Sequence, residues 1–363
     1  MAWAEPKHTR TRVDGAGKKF TELLGQDWRD EEQADDFEEA LEIINNWRSS
    51  HSYPLNTFQM GLRRTIRHLG SKTPWLVAQR IKRLPAISLK LKLNKSMQLS
   101  QMQDIGGCRA VVSSVRQVNE LVNLYKASSM KHELIRVTDY IENPRNTGYR
   151  SVHLMYRYHS DKNKASYNGL RIEMQLRSRL QHAWATAVET VGEFIGQALK
   201  SNVGQAPWLR FFQLMGSAIA IEEKTPLVPG TPTNSVALRK ELRISVAKLN
   251  VLDTLRSFGD LIETRVSTSG AELFLLETNP MAKSVQVTGF ARAESERAMA
   301  RYAEVEKSFI GVPGAQVVLV SVDSIDKLRR AYPSYFLESS VFIKALSRAL
   351  RADRPQRRRR GRR

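Results

Sequence analysis

The chain has 363 residues, 41% of them hydrophobic and 26% charged, with a formal net charge of +20 at pH 7. That composition is globular rather than disordered, the length predicts two domains, and the charge predicts a surface that attracts nucleotides, RNA or acidic proteins. The single cysteine, Cys108, excludes an internal disulfide and a cysteine zinc ribbon. No apolar run approaches the ~18 residues of a membrane span, and the first residues lack the apolar stretch of a signal peptide, so a cytoplasmic protein is expected.

Residues 1–25 are polar and basic, include Gly15 and Gly17, and are expected to be a flexible arm. An acidic helix is predicted around Trp28 to Arg48, where Phe37, Ala40, Leu41 and Ile44 recur at helical spacing. Pro54 breaks the chain, and Asn56 or Thr57 is the expected cap of a second helix reaching His68. Pro74 is read into the first turn of a third helix ending near Pro85. Ile105 to Val112 is a short apolar strand, and Val115, Val118, Leu121, Val122 and Tyr125 mark a helix.

Two alternating strands follow. Val152, Leu154, Tyr156 and Tyr158 share one face of the first, and Leu170, Ile172, Met174 and Leu176 one face of the second. Ser178 then caps a long helix whose apolar stripe is Leu180, Trp184, Ala187, Val188, Val191 and Ile195. Residues 226–234, rich in proline and threonine, read as a linker between a main domain over 26–225 and a second unit over 235–350. That unit is expected to hold a helix from Val236 to Leu261, strands over 272–277 and 284–289, a helix over 291–309, a strand over 316–322 and short helices near Leu350. From Arg348 to Arg363 there are nine arginines and one aspartate, a local charge of +8. The tail, 351–363, is either a disordered solubilising segment or an arm that neutralises phosphates. The fold class expected is α+β: a mixed sheet flanked by helices, a smaller C-terminal α/β domain, and a basic tail.

Four segments carry candidate chemistry. The polar face of the second strand reads Arg171, Glu173, Gln175, Arg177. It is either a surface ladder or a carboxylate that holds a metal or a hydroxyl while arginines hold phosphates. Asp104 stands at the mouth of a buried strand, before Gly106 and Gly107, as a turn cap or as a ligand for Mg²⁺. Strict alternation puts Asp104 and Arg109 on opposite faces, so a bulge is needed for both to serve one site. The cationic run from Arg80 to Lys92 is either a solvated helix end or a wall for a triphosphate. The loop from Asp139 to His153 carries Tyr149 after Gly148, either a core tyrosine or a platform for a base.

Together these segments resemble the RelA/SpoT synthetase domain, whose fold is nucleotidyltransferase-like. The family pattern R-x-K-x-x-x-S-I-x-x-K is similar to Arg80, Lys82, Ile87 and Lys90, with Ala86 at the serine position. D-I-A-G-x-R resembles Asp104-Ile-Gly-Gly-Cys-Arg109, and N-P-K-x-x-G-Y-x-S-x-H resembles Asn143 to His153 with Arg145 in place of lysine. E-I-Q-x-R-T matches Glu173-Met-Gln-Leu-Arg-Ser178, and W-A-x-x-x-E matches Trp184 to Glu189. The resemblance implies transfer of pyrophosphate from ATP to the 3′-hydroxyl of GDP or GTP, with Mg²⁺ as cofactor on Asp104 and Glu173. Arg80, Lys82, Lys90 and Arg109 would hold the donor, and Arg145, Tyr149, His153, Gln175 and Arg177 the acceptor.

None of the seven histidines precedes an aspartate, so the His-Asp metal pair of the companion hydrolase is not expected. Toxin-like relatives use the 3′ end of tRNA or adenosine nucleotides as acceptor instead. A degenerate, nucleotide- or RNA-binding sensor is the non-enzymatic alternative. The C-terminal unit is expected to mask the site, to bind a trigger protein or antitoxin, or to mediate oligomerisation.

Overall fold

The computed structural model describes residues 3–24, 31–69, 75–194, 199, 205–257, 263–267, 271–279, 284–310, 312, 315–322, 326, 328–329 and 339–351. Nine strands appear among them: β1 (Leu76–Ile81), β2 (Gly106–Val112), β3 (Glu133–Asp139), β4 (Val152–Arg157), β5 (Arg171–Ser178), β6 (Glu263–Ser267), β7 (Leu273–Asn279), β8 (Ser284–Phe290) and β9 (Gln316–Ser321). They form one sheet in the order β3-β4-β5-β2-β1-β9-β7-β8-β6. β2 lies parallel to β5 and β6 parallel to β8, and the remaining pairs are antiparallel. The helices are α1 (Arg10–Leu23), α2 (Glu31–Ser50), α3 (Ser52–His68), α4 (Leu84–Leu93), α5 (Val115–Lys126), α6 (Arg179–Phe194), α7 (Ala206–Glu223), α8 (Ser235–Leu249), α9 (Val251–Ser257), α10 (Ser295–Ser308) and α11 (Ser340–Leu350).

Alternation along the central strands sorts their two faces. Val77, Ile81, Cys108, Ala110, Ile172 and Met174 point into a core shared with α1 to α5. On the opposite face Leu76, Ala78 and Val111 join Phe274, Leu276, Val318 and Val320. A separate core brings α6, α7, α8, α9 and α11 together around Trp208, Phe211, Phe212 and Phe342. What remains of that second face, over β1, β2 and β5, carries the polar residues.

Several expectations are corrected. The N-terminal arm contains α1: Thr9 caps it, Val13, Ala16 and Phe20 are buried, and Phe20 stacks on Phe37 of α2 at 5.5 Å between ring centroids. Burying Phe20 contributes about 1.5–3 kcal/mol, and with Val13 and Ala16 it gives a segment of polar composition an apolar face to pack. Pro54 falls inside the first turn of α3, where a missing N–H costs nothing, so the helix starts at Ser52. Residues 76–81 form a strand, not a helix. Both faces of β1 are packed at its start, which erases the period-two signal there.

The single helix expected over 236–261 is broken at Asn250, which adopts the left-handed conformation at φ 47° and separates α8 from α9. β3, with mostly exposed or half-buried residues at the sheet edge, carries no apolar pattern to read. The C-terminal unit extends the same sheet, because β9 pairs with β1 at Gln79–Ser321 and Arg80–Val320. Phe194 is the last residue of α6, so Ile195 lies outside the described residues, as do 352–363 of the basic tail.

Candidate active site

β1 runs into α4 through a short turn, and Pro85 sits in the first turn of that helix, where its fixed φ suits the start. Lys82 leaves the end of β1 with its backbone N–H bonded to the carbonyl of Ile105 at 2.8 Å. Its Nζ donates to Asp104 Oδ2 at 2.6 Å, and Lys90 Nζ donates to Asp104 Oδ1 at 2.9 Å. Burial by itself raises a carboxyl, but here the two ammonium groups outweigh it and hold Asp104 below the usual carboxylate range. Burial pulls the Lys82 ammonium down, and Asp104 offsets only part of that. The lysines expected on donor phosphates therefore lie on a carboxylate.

Arg80 precedes Lys82 by two residues on the same side of β1 and lies opposite Gly107 of β2. Ala86 is half-buried one turn before Lys90, whereas Ser88 is buried at 3% exposed, so Ser88 does not replace the missing serine.

Asp104 and Arg109 come to one side by a bend at Ile105, ahead of β2, rather than by a bulge within it. Ile105 is buried, and Gly106 also faces the core. A Cβ on Gly106 would lie 2.8 Å from Ile172 Cδ1 and 3.3 Å from His51 Cβ, so a side chain there would have to displace the Ile172 tip and press on α3. Gly107 serves a different purpose. A Cβ there would meet only the Glu173 carbonyl at 4.0 Å, so its bareness keeps the floor open between Arg80 and Glu173, its register partners.

Glu173, Gln175 and Arg177 share one face of β5, and His153 of β4 lies opposite Gln175. A continuous chain of hydrogen bonds links them. Gln175 Nε2 donates to Glu173 Oε2 at 2.6 Å, and His153 Nδ1 lies 2.8 Å from Glu173 Oε1. His153 Nε2 lies 2.7 Å from the Tyr149 hydroxyl, which accepts from Arg177 Nη2 at 2.8 Å; Arg177 Nη2 also donates to Gln175 Oε1 at 2.8 Å. Burial lowers the His153 imidazole, but Tyr149 and Glu173 outweigh it and push it up to about 9. Burial raises Glu173, yet the imidazolium brings it below its ordinary value even against repulsion from Asp104. Glu173 lies opposite Gly107 of β2, three residues after Asp104, so the two carboxylates border the same stretch of the sheet.

Tyr149 stands at the rim because Gly148 turns the chain at φ +93°. A Cβ on Gly148 would meet the Phe212 carbonyl at 2.8 Å and Trp184 Cζ2 at 3.0 Å, so α7 closes directly over the turn. The Tyr149 ring meets Trp184 edge-on at 6.4 Å, and Arg177 lies over it at 5.2 Å. Trp184 is fixed by its Nε1 donating to the Phe212 carbonyl at 2.9 Å.

The candidate residues converge with two exceptions in manner. Arg177 is 1% exposed, so it holds Tyr149 and Gln175 and presents no surface to a substrate. Arg145 is exposed and lies over the ring of Tyr140 at 4.5 Å, donating to its hydroxyl at 2.6 Å. Tyr140, edge-on to His153 at 5.2 Å and to Tyr149 at 5.8 Å, is the participant the sequence reading missed. Its signal is modest: an aromatic directly after β3, nine residues before Tyr149. Arg109 lies beside Gln175 and Ala78 in register, half-buried on the same face. Among the described residues, no group of three or more His, Cys, Asp or Glu could hold a metal ion. The donor set of Asp104 and Glu173 suits Mg²⁺, which needs one or two carboxylates when phosphates complete its shell.

Residues 79–191 match the family model described as the region found in RelA / SpoT proteins. Over 89 residues the chain is 32% identical to the GTP pyrophosphokinase YwaC of Bacillus subtilis (strain 168), a match spanning 23% of this chain and 40% of that relative. Among solved structures it is similar to small alarmone synthetase 2 of Bacillus subtilis, at 20% identity and a TM-score of 0.41, covering 49% of this chain and 91% of that one. Small alarmone synthetase 1 of Bacillus subtilis bound to its product pppGpp gives 20% identity and a TM-score of 0.41, covering 48% and 89%. Among the described residues no helix is long and apolar enough to cross a membrane. The chain carries, over residues 79–191, a RelA/SpoT-type region.

Proposed function

We propose that the chain is a pyrophosphokinase that moves the β- and γ-phosphoryl groups of ATP together onto the 3′-hydroxyl of GDP or GTP. The observation that carries this reading is the pair Asp104 and Glu173. They are two half-buried carboxylates at the ends of one open floor: Asp104 holds the Lys82 and Lys90 ammonium groups, and Glu173, opposite Gly107 in register, is bonded to His153 and Gln175. The acceptor's 3′-oxygen bonds to the β-phosphorus, the bond from that phosphorus to the oxygen bridging to the α-phosphorus breaks, and AMP leaves. The hydroxyl proton passes toward Glu173. Glu173 is held ionised, so it is always ready to accept that hydrogen bond, and in a loose phosphoryl-transfer transition state the proton moves late.

Lys82, Lys90, Arg80 and Arg109 offset the charge of the donor phosphates. Lys82 and Lys90 exchange an Asp104 oxygen for phosphate oxygens as ATP arrives. Mg²⁺ would be held by Asp104 and Glu173 together with substrate phosphates, and when bound it supplies charge neutralisation on the transferred group. The acceptor base stacks on the Tyr149 ring face opposite Arg177, with Tyr140 and Arg145 at the rim.

A second acceptor class is favoured by a specific feature. Arg157 lies opposite Arg171 in register, on the same face as Glu173. Burial lowers Arg171, and the positive charges of Arg10, Arg157 and Arg136 lower it further. Arg157 pairs with Glu133, whereas Arg10, Arg136 and Arg171 donate to uncharged acceptors, the Gly169 carbonyl, the Gln103 side chain and the Gln101 carbonyl. Such a group suits the phosphodiesters of a tRNA end. Parallel reactions with GDP, GTP and deacylated tRNA, with products resolved by mass, test the assignment. A guanosine nucleotide bearing added pyrophosphate supports the first reading, modified tRNA the second, and no transfer to either with ATP and Mg²⁺ contradicts both.

A further inference from the structure

The donor wall is not held by the RelA/SpoT-type region alone. Arg48 of α2 is 2% exposed, and its guanidinium reaches four partners at once, one of them Asn45 of its own helix, whose Oδ1 accepts from Nη1 at 2.8 Å. Nε donates to the carbonyl of Lys82 at 2.9 Å, Nη1 to Glu306 Oε2 at 2.7 Å, and Nη2 to the Tyr302 hydroxyl at 2.6 Å. Glu306 and Tyr302 belong to α10, in the C-terminal unit, and lie 258 and 254 positions from Arg48 in the chain.

The other oxygen of Glu306 accepts from the backbone N–H of Leu84, the first residue of α4, at 2.7 Å, and from the Tyr302 hydroxyl at 3.1 Å. A carboxylate at that place satisfies an orphan N–H of the helix and favours its N-terminus electrostatically. The peptide of Lys82 is therefore gripped on both sides, by the Ile105 carbonyl at its N–H and by Arg48 at its C=O. Nearly two turns further, α4 presents Lys90. A second arm reaches the same wall: β9 pairs with Arg80 through Val320, and Gln59 of α3 donates to the Ser321 carbonyl at 2.9 Å.

We propose that Tyr302 and Glu306, acting with Arg48, are positioning residues through which the C-terminal unit sets the place of Lys82 and Lys90, and so the affinity for ATP. The proposal rests on the reading of these lysines as donor-phosphate ligands. It also changes the role expected for the C-terminal unit: α10 completes the donor site, so its removal lowers ATP use. A buried charged cluster whose members are bonded to one another this closely is sensitive to the loss of one of them.

The experiment uses full-length Tyr302→Phe and Glu306→Gln, each first shown to be folded by its thermal transition. Hydrogen–deuterium exchange over residues 82–93 is expected to quicken in both variants while that of β4 and β5 is unchanged. In steady state, KM for ATP is expected to rise about tenfold, the size of one lost hydrogen bond to a charged group, with KM for the acceptor unmoved. A purely structural role would shift both KM values together or neither. Unchanged exchange over 82–93 in a folded Tyr302→Phe protein, or equal shifts in both KM values, overturns the proposal. If the wild-type chain transfers no pyrophosphate, the functional reading fails, and the exchange measurement still decides whether α10 holds the wall.

Discussion

Glu173 and Asp104 are neighbours in space but are held by different parts of the chain. Around Glu173 the partners His153, Gln175, Tyr149 and Arg177 come from β4, β5 and the turn before them, none more than 28 positions from its bonded neighbour. Around Asp104 the immediate partners Lys82 and Lys90 are also local, at 22 and 14 positions. Their own support is not: the segment that carries them is fixed by Arg48 and Glu306, 258 positions apart. The Glu173 side is thus a self-contained hydrogen-bond chain on a strand pair, and the Asp104 side, proposed for the donor, is a joint between α2 and α10. The first should tolerate change elsewhere, and the second should report it.

The largest expected effect comes from Asp104→Asn. It leaves two ammonium groups facing an amide and removes a carboxylate from the reaction centre, so the transfer rate should fall by about 10³ or more. An initial-rate assay with the thermal midpoint measured alongside checks this, and loss of rate in a folded protein is the expected result. Next, single substitutions should separate the halves. Lys90→Met should raise KM for ATP, and Tyr149→Ala KM for the acceptor, each by about 10- to 100-fold with little effect on the other substrate. If either variant moved both constants equally, the division into halves would be wrong.

Two histidines sharpen the comparison through pH. In the site, His153 is pushed up to about 9 from its ordinary 6.5, so its contribution is complete below pH 6.5 and is lost as pH rises through about 9, about 3 kcal/mol in all. In the helical layer, burial lowers His51 to about 4, although its bond to the Trp47 carbonyl at 2.7 Å opposes this. Its stabilising contribution is present above pH 6.5 and is lost as pH falls toward 4, again about 3 kcal/mol. Denaturant titrations across pH should show both limbs, with His153→Gln flattening the alkaline one and His51→Gln the acid one.

The same division explains what could be read from the sequence. The polar face of β5 and the apolar face behind it are written in strict alternation, so the sequence alone places Glu173, Gln175 and Arg177 on one side. Arg177 is expected at the acceptor and lies 1% exposed over the Tyr149 ring, because spacing gives the face of a residue and not its depth. Asp104 could be recognised, yet the bend at Ile105 that turns it toward Arg109 leaves no periodic trace. β1 was read as a helix because Leu76, Val77 and Ala78 are all buried, on alternate faces, and a doubly covered strand shows no alternation. Nothing near Arg48 announces a partner in α10; such pairings are set by how the C-terminal strands extend the sheet.

The smallest effect expected is at Ala86. A serine there would stand one helical turn before Lys90 on a half-buried position and add one hydroxyl for a phosphate oxygen. Ala86→Ser should raise kcat/KM for ATP by about tenfold or less, about the worth of one hydrogen bond. An unchanged value would place that position away from the donor.

The most direct test follows the phosphorus atoms. ATP labelled separately at the α, β and γ positions is incubated with Mg²⁺, the acceptor, and either the wild-type chain or Glu173→Gln. The account predicts that β and γ labels appear together on the acceptor, that the α label appears only in AMP, and that Glu173→Gln abolishes both. Transfer of the γ label alone, or equal transfer by the Glu173→Gln protein, would contradict it.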